Sequence, residues 1–212
     1  MIEVILFICV VVSFLLAMVI GNYLYKLQRK RKFNYFNNFP FEMENKKDPK
    51  LTLLFRILLI AFIGFCCVDI LFLLFFPLES DIFSKFLGGI LLLEAYMLLG
   101  LFLISSVIYK GHIFLSCSFF VLNFMSYVGL GYKVLLDEKP LAISIICFII
   151  GFILLIVMFS PVLREWYKLN KKVTKQEIVI TRKRFNLYVF NEWVNILFFI
   201  LNIFLCLIIN IL

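Results

Sequence analysis

Apolar residues run for about twenty positions at a time along this chain, and polar residues gather between the runs. Six such runs occur, at roughly 4–25, 52–76, 86–108, 113–136, 141–162 and 189–212, each long enough to cross a hydrocarbon layer as a helix. The pattern predicts an all-α, polytopic integral membrane protein. Its six transmembrane helices form a single membrane domain over residues 1–212. The first run resembles a signal sequence only in position. Glu3 is its one charged residue, and no small-x-small cleavage pattern precedes the basic block that follows, so it reads as a retained span.

Composition agrees. Hydrophobic residues make up 64% of the chain and charged residues 16%, with a mean hydropathy of +1.08. A soluble domain is about half apolar, so lipid is the solvent implied. The 27 phenylalanines, with abundant Ile, Asn and Lys, suggest a low-GC genome and hence a Gram-positive bacterium. All six cysteines lie inside apolar runs without metal or redox spacing, as small core residues do.

Charge sets the orientation. Eighteen of the 21 basic residues fall on one side of the six-span map, in loops 26–51 and 163–188, at Arg56 and at Lys110. Only Lys85, Lys133 and Lys139 fall on the other. Lys and Arg mark the cytoplasmic side of short loops, so the expectation is a plasma-membrane protein with both termini extracellular, N-out and C-out. The net charge of +8 is thereby explained, and nucleic acid is not an expected partner. The clusters Arg29, Lys30, Arg31, Lys32 and Arg182, Lys183, Arg184 are candidate docking sites for anionic inner-leaflet lipids or a protein partner. Tyr23, Tyr25, Trp166, Tyr167, Tyr188 and Trp193 read as an aromatic belt. Phe33, Tyr35, Phe36, Phe39 and Phe41 read as a short segment laid on the inner leaflet and broken by Pro40. "YKLQRK" at 25–30 and "YKLNKK" at 167–172 hint at a repeated helical hairpin.

Polar residues within the apolar runs carry the candidate chemistry, because an ionisable group in hydrocarbon costs several kcal/mol. Asp69 and Glu94 each fall roughly 10–12 Å below the outer boundary of neighbouring spans, a candidate proton or cation site. Asn191, Asn195 and Asn202 share a face of the last span. Ser116, Asn123 and Ser126, with His112, share one on the fourth, and Glu94 shares one with Ser105 on the third. Such stripes face other helices and hydrogen-bond across the interface. His112 reads as a headgroup-level histidine. Glu192 reads as an interfacial acid beside Lys183 and Arg184. The absence of GxxxG signals no close backbone crossing of that type.

HExxH, GxSxG and GxxxxGK[ST] are absent, and the two basic loops are short. The expectation is a non-enzymatic protein with no cofactor, acting through another membrane or cytoplasmic protein. An accessory subunit of an export system and an immunity protein against a membrane-acting toxin are the two forms of that reading. The alternative is a small proton- or cation-coupled carrier using Asp69 and Glu94. A third reading, an enzyme built on His112 and Cys117, lacks any supporting motif.

Overall fold

The computed structural model describes every residue except 37, 45–47, 77–80, 104–108, 162, 163, 165–167 and 169–185, together with all described side chains other than those of 41, 109 and 110. Among the described residues the protein is all-α. Its long helices are α1 (Ile2–Arg29), α2 (Pro49–Leu74), α3 (Ile82–Leu103), α4 (Tyr109–Leu136), α5 (Leu141–Phe159) and α6 (Leu187–Ile211). A 3-10 turn, Pro40–Met43, lies between α1 and α2. All six long helices have the length and hydropathy to cross a membrane. Trp166, Tyr167, Ser105, Arg182, Lys183, Arg184 and the second copy of the repeat lie outside the described residues.

Polar residues next to the apolar runs set the helix ends. Asp48 accepts from the Leu51 N–H at 3.0 Å, with Pro49 opening α2 behind it. Asn186 Oδ1 accepts from Tyr188 N–H at 3.0 Å and starts α6. Asp81 accepts from Ser84 N–H at 2.5 Å and starts α3 four residues before the apolar run itself. Those Ser84 hydrogen bonds hold the Asp81 carboxyl below its ordinary range. α1 stops where Lys30 turns left-handed, at φ 54°. α4 stops likewise at Glu138, φ 52°, where Lys139 N–H returns to Val134 O at 3.0 Å, and Pro140 follows.

Successive helices pack as antiparallel neighbours from α1 to α5, and α6 closes the bundle against α4, α2 and α1. α6 is the most enclosed helix, with fourteen buried residues. At one end Asn210 Nδ2 donates to Leu73 O at 2.8 Å, and Phe7 meets Phe204 at 5.2 Å. The other end, where α1 leaves off at Arg29, is called the basic end below. α5 sits outermost and packs on α4 through small residues. Ser144 Oγ donates to Gly131 O at 2.8 Å, and a Cβ on Gly151 would stand 3.2 Å from Val128. This close crossing uses Gly131, Ser144, Cys147 and Gly151 in place of GxxxG, and the separation of those glycines on two helices hid it from a single-helix motif.

Part of the chain after α1 departs from its expected place on a membrane surface: Phe39 is buried, whereas Tyr35 and Phe36 are exposed and the Phe41 side chain lies outside the described ones. Asn38, Phe39, Pro40 and Met43 are buried, and residues 38–44 form a strap folded into the basic end of the bundle. Trp193 Nε1 donates to Asn38 O at 2.9 Å, and Asn38 Nδ2 donates to Glu42 Oε2 at 2.7 Å. Arg56 forms a two-pronged ion pair with Glu44, at 2.7 and 2.9 Å. Phe33 and Tyr35 pack edge-on against Trp193, at 5.8 and 4.9 Å. The aromatic-belt assignment is corrected with it. Tyr25, Tyr188 and Trp193 are buried in the bundle, while Tyr23 is exposed. Burial wins because each of the three polar tips or rings finds partners inside that a headgroup layer would only replace with water.

Met43 needs the bare backbone at Gly21. A Cβ there would lie 2.5 Å from Met43 Sδ and 2.8 Å from Phe55. Gly21→Val is expected to displace the strap and destabilise the protein by about 1–3 kcal/mol, the usual cost of overpacking. A lowered thermal unfolding midpoint in detergent would record it.

Candidate functional site: a buried polar seam along α6

One face of α6 and one face of α4 meet along their length, and both carry polar stripes. Helical spacing brings Asn191, Asn195 and Asn202 to one side of α6, and Ser116, Asn123 and Ser126 to one side of α4. All six are buried. Asn123 Nδ2 donates to Asn195 O at 2.9 Å and to Asn195 Oδ1 at 3.0 Å. Asn195 Nδ2 in turn donates to Asn191 O at 2.9 Å and Asn191 Oδ1 at 3.1 Å. Asn202 Nδ2 donates to Ser126 Oγ at 2.7 Å, and Ser126 Oγ reaches Glu94 Oε2 on α3 at 3.1 Å. Three helices thus share one hydrogen-bonded seam. In lipid such bonds replace hydrophobic attraction as the directional part of helix association.

Glu94 and Glu192 stand on this seam through Ser126 and Ser116, and Asp69 is buried on α2. Glu94 and Asp69 are completely buried. Glu94 Oε1 and both Asp69 oxygens have no hydrogen-bond partner among the described residues. The two carboxyls do not hydrogen-bond to each other. Cys66 lies one turn before Asp69 on α2. Glu3, in the first turn of α1, lies at the end of the bundle away from the strap. None of Asp69, Glu94 and Glu192 forms an ion pair with Lys or Arg among the described residues. Lys133, the cation within electrostatic reach of this end, is bound to Asp137 at 2.7 Å.

His112 and Glu192 are the residues that sequence reasoning misplaced. Neither sits at an exposed boundary. They are 1% and 0% exposed, with His112 Nε2 3.0 Å from Glu192 Oε1. Ser116 Oγ donates to the same oxygen at 2.5 Å. Glu192 had been assigned by chain proximity to Lys183 and Arg184, yet its helical phase, next to Asn191 and Asn195, points it inward.

The first basic cluster remains outside. Arg29, Lys30, Arg31 and Lys32 are all exposed, and Arg31 Nε donates to Tyr25 OH at 3.1 Å. Two cavities of about 280 and 560 Å³ flank α4 against α3 and α5. Their walls are apolar and aromatic, such as Phe86, Phe124 and Phe152, and no seam residue lines either. Among the described residues no group of three His, Cys, Asp or Glu side chains is placed to hold a metal ion. No family model, curated protein or solved structure matches this chain.

Proposed function

We propose that this is a multi-pass plasma-membrane protein that carries protons along the α6 seam, with Asp69 and Glu94 as its exchanging groups. One observation carries the reading. Two fully buried carboxyls carry unpartnered oxygens, Glu94 on the polar seam and Asp69 inside the bundle on α2, and no described Lys or Arg pairs with either. Static packing alone gives no reason to keep such groups, since an acid in hydrocarbon without a counter-charge costs several kcal/mol. A hard cation needs several oxygen ligands converging on it. Among the described residues no group of three His, Cys, Asp or Glu side chains converges in that way, whereas a proton needs one acceptor at a time. The proton is therefore the better-matched cargo. The bias of Lys and Arg to one side supports an orientation with the basic end in the cytoplasm and both termini outside.

The decisive measurement is proton entry into liposomes carrying the purified protein, with a trapped pH dye and an imposed potassium diffusion potential. Faster acidification than in protein-free vesicles is expected. Equal rates would end the proposal. Orientation is checked separately. With the six native cysteines replaced, Lys30→Cys is expected to react with an impermeant maleimide only after cells are opened, and labelling in intact cells would invert the map.

A second reading is favoured by the exposed Lys30, Arg31 and Lys32. In it the protein serves as an accessory subunit of an export system or as an immunity protein, docking an acidic membrane or cytoplasmic partner through this cluster. The same charges suit anionic inner-leaflet lipid, at about 1 kcal/mol each near the surface. Crosslinking in native membranes separates the two. A protein product lost on reversing charges 29–32 supports the partner, and a product that survives reversal removes this cluster as its dock.

A further inference from the structure

At the basic end the seam continues into an acid–base pair. Glu192 lies one helical turn before Asn195 on α6, about 4.5 Å along the axis. Its Oε1 receives the Ser116 hydroxyl at 2.5 Å and lies 3.0 Å from His112 Nε2, while Oε2 has no hydrogen-bond partner among the described residues. His112 is the chain's single histidine. Among the described residues, groups from α4, α6 and the strap lie near the pair. Cys117 follows Ser116 on α4, and Tyr188 lies one turn before Glu192 on α6. Phe39 of the strap sets its ring edge-on to the imidazole at 5.0 Å.

Building on the proton-carrying reading, we propose that His112 and Glu192 form a second proton-binding site, which loads the seam from the basic end, and that the strap covers it. Imidazole plus carboxylate carries one net negative charge. One proton brings the pair to neutrality, whichever partner holds it, so the loaded pair itself carries no net charge. Asp69 lacks that compensation, and the pair therefore suits uptake from the side where the seam begins. Phe39, fully buried, lies over this site and covers the imidazole in the present conformation, while Met43 seats the strap against Gly21. Several described bonds tie the strap to the helices. One of them, Trp193 Nε1 to Asn38 O, comes from the residue that follows Glu192, so movement of the cover and the setting of the acid share an anchor.

Two readouts test this in the same liposomes. Proton flux is expected to fall at least roughly tenfold in Glu192→Gln and in His112→Gln, with Asp69 and Glu94 intact. The His112→Gln side chain keeps an amide donor toward Glu192, so it answers the question if Glu192→Gln does not fold. Labelling of the lone histidine by diethylpyrocarbonate, read by mass spectrometry, is expected to be slow in the wild type. It should speed up several-fold in Trp193→Phe, which keeps the ring but removes the N–H, and in Phe39→Ala. Wild-type flux in both acid–base variants overturns the loading site while the wider reading stands. Unchanged labelling in both strap variants overturns the cover. Absence of flux in the wild type itself sinks the wider reading, and this site with it.

Discussion

Glu94→Gln is expected to reduce proton flux by roughly 100-fold, the scale at which a positioned proton-transfer group contributes. The protein should remain folded. Glutamine has nearly the same shape, and its carbonyl oxygen still accepts from Ser126, the hydrogen bond that ties α4 to α3. Its stability change should stay within about 1 kcal/mol, since the net worth of one hydrogen bond sets the limit. What disappears is the exchangeable proton. Asp69→Asn should act in the same direction for a different reason. Neither Asp69 oxygen has a hydrogen-bond partner among the described residues, so the amide loses nothing structural and gains two donors that must find acceptors. The pair of variants is therefore informative as a pair. Equal losses mean that both acids lie in series on one route. A loss in Glu94→Gln with none in Asp69→Asn would place the route through α3, α4 and α6 alone. Flux is measured as dye acidification under a fixed potential, with gel filtration and thermal unfolding as the folding controls. Unchanged flux in both variants would remove the carboxyls from any role in transport.

Much of the architecture is legible in the residues, because long apolar runs admit few alternatives in lipid. The six helices and the inward stripes of Asn191, Asn195 and Asn202 follow from spacing alone. The seam is harder. Periodicity says which face of a helix is polar but not which helix it meets. α6, last in the chain, inserts beside α4, α2 and α1. For that reason the neighbours Asp69 and Glu94 could be placed at one depth and still not be bonded to each other. Glu94 turns to Ser126, a partner 32 residues away. The strap was hidden for another reason. A basic, aromatic segment after a span has the composition of a surface-bound one. Only the fit of Met43 on Gly21, and of Asn38 under Trp193, draws it inside. His112 and Glu192 were hidden in the same way. Each sits at the start of its helix, where sequence places a boundary, and the folded strap is what makes that boundary an interior.

Asn123→Leu is expected to destabilise the bundle by about 1–2 kcal/mol, because it strands an acceptor in a low-dielectric interior. Asn123 Nδ2 serves both the side-chain and the backbone oxygen of Asn195, and no second described donor reaches Asn195 Oδ1. A double-mutant cycle with Asn195→Leu then separates two roles of the seam. Paired leucines of similar volume pack across α4 and α6 and remove both side-chain partners of that bond, though Asn191 Oδ1 loses its Asn195 donor, so stability should return part of the way toward wild type. Flux should not return. A leucine pair at this point interrupts the polar seam between the His112–Glu192 end and the Ser126–Glu94 end, and no route around it is visible among the described side chains. Recovered stability with flux still down at least roughly tenfold identifies the seam as a path, on the scale of a lost proton-transfer group. Recovery of both identifies these asparagines as helix-packing groups and confines proton movement to the acids. The unfolding transitions in mixed micelles and the liposome fluxes must be taken on the same four proteins, since only their joint pattern distinguishes a bond that holds helices together from one that also passes a proton.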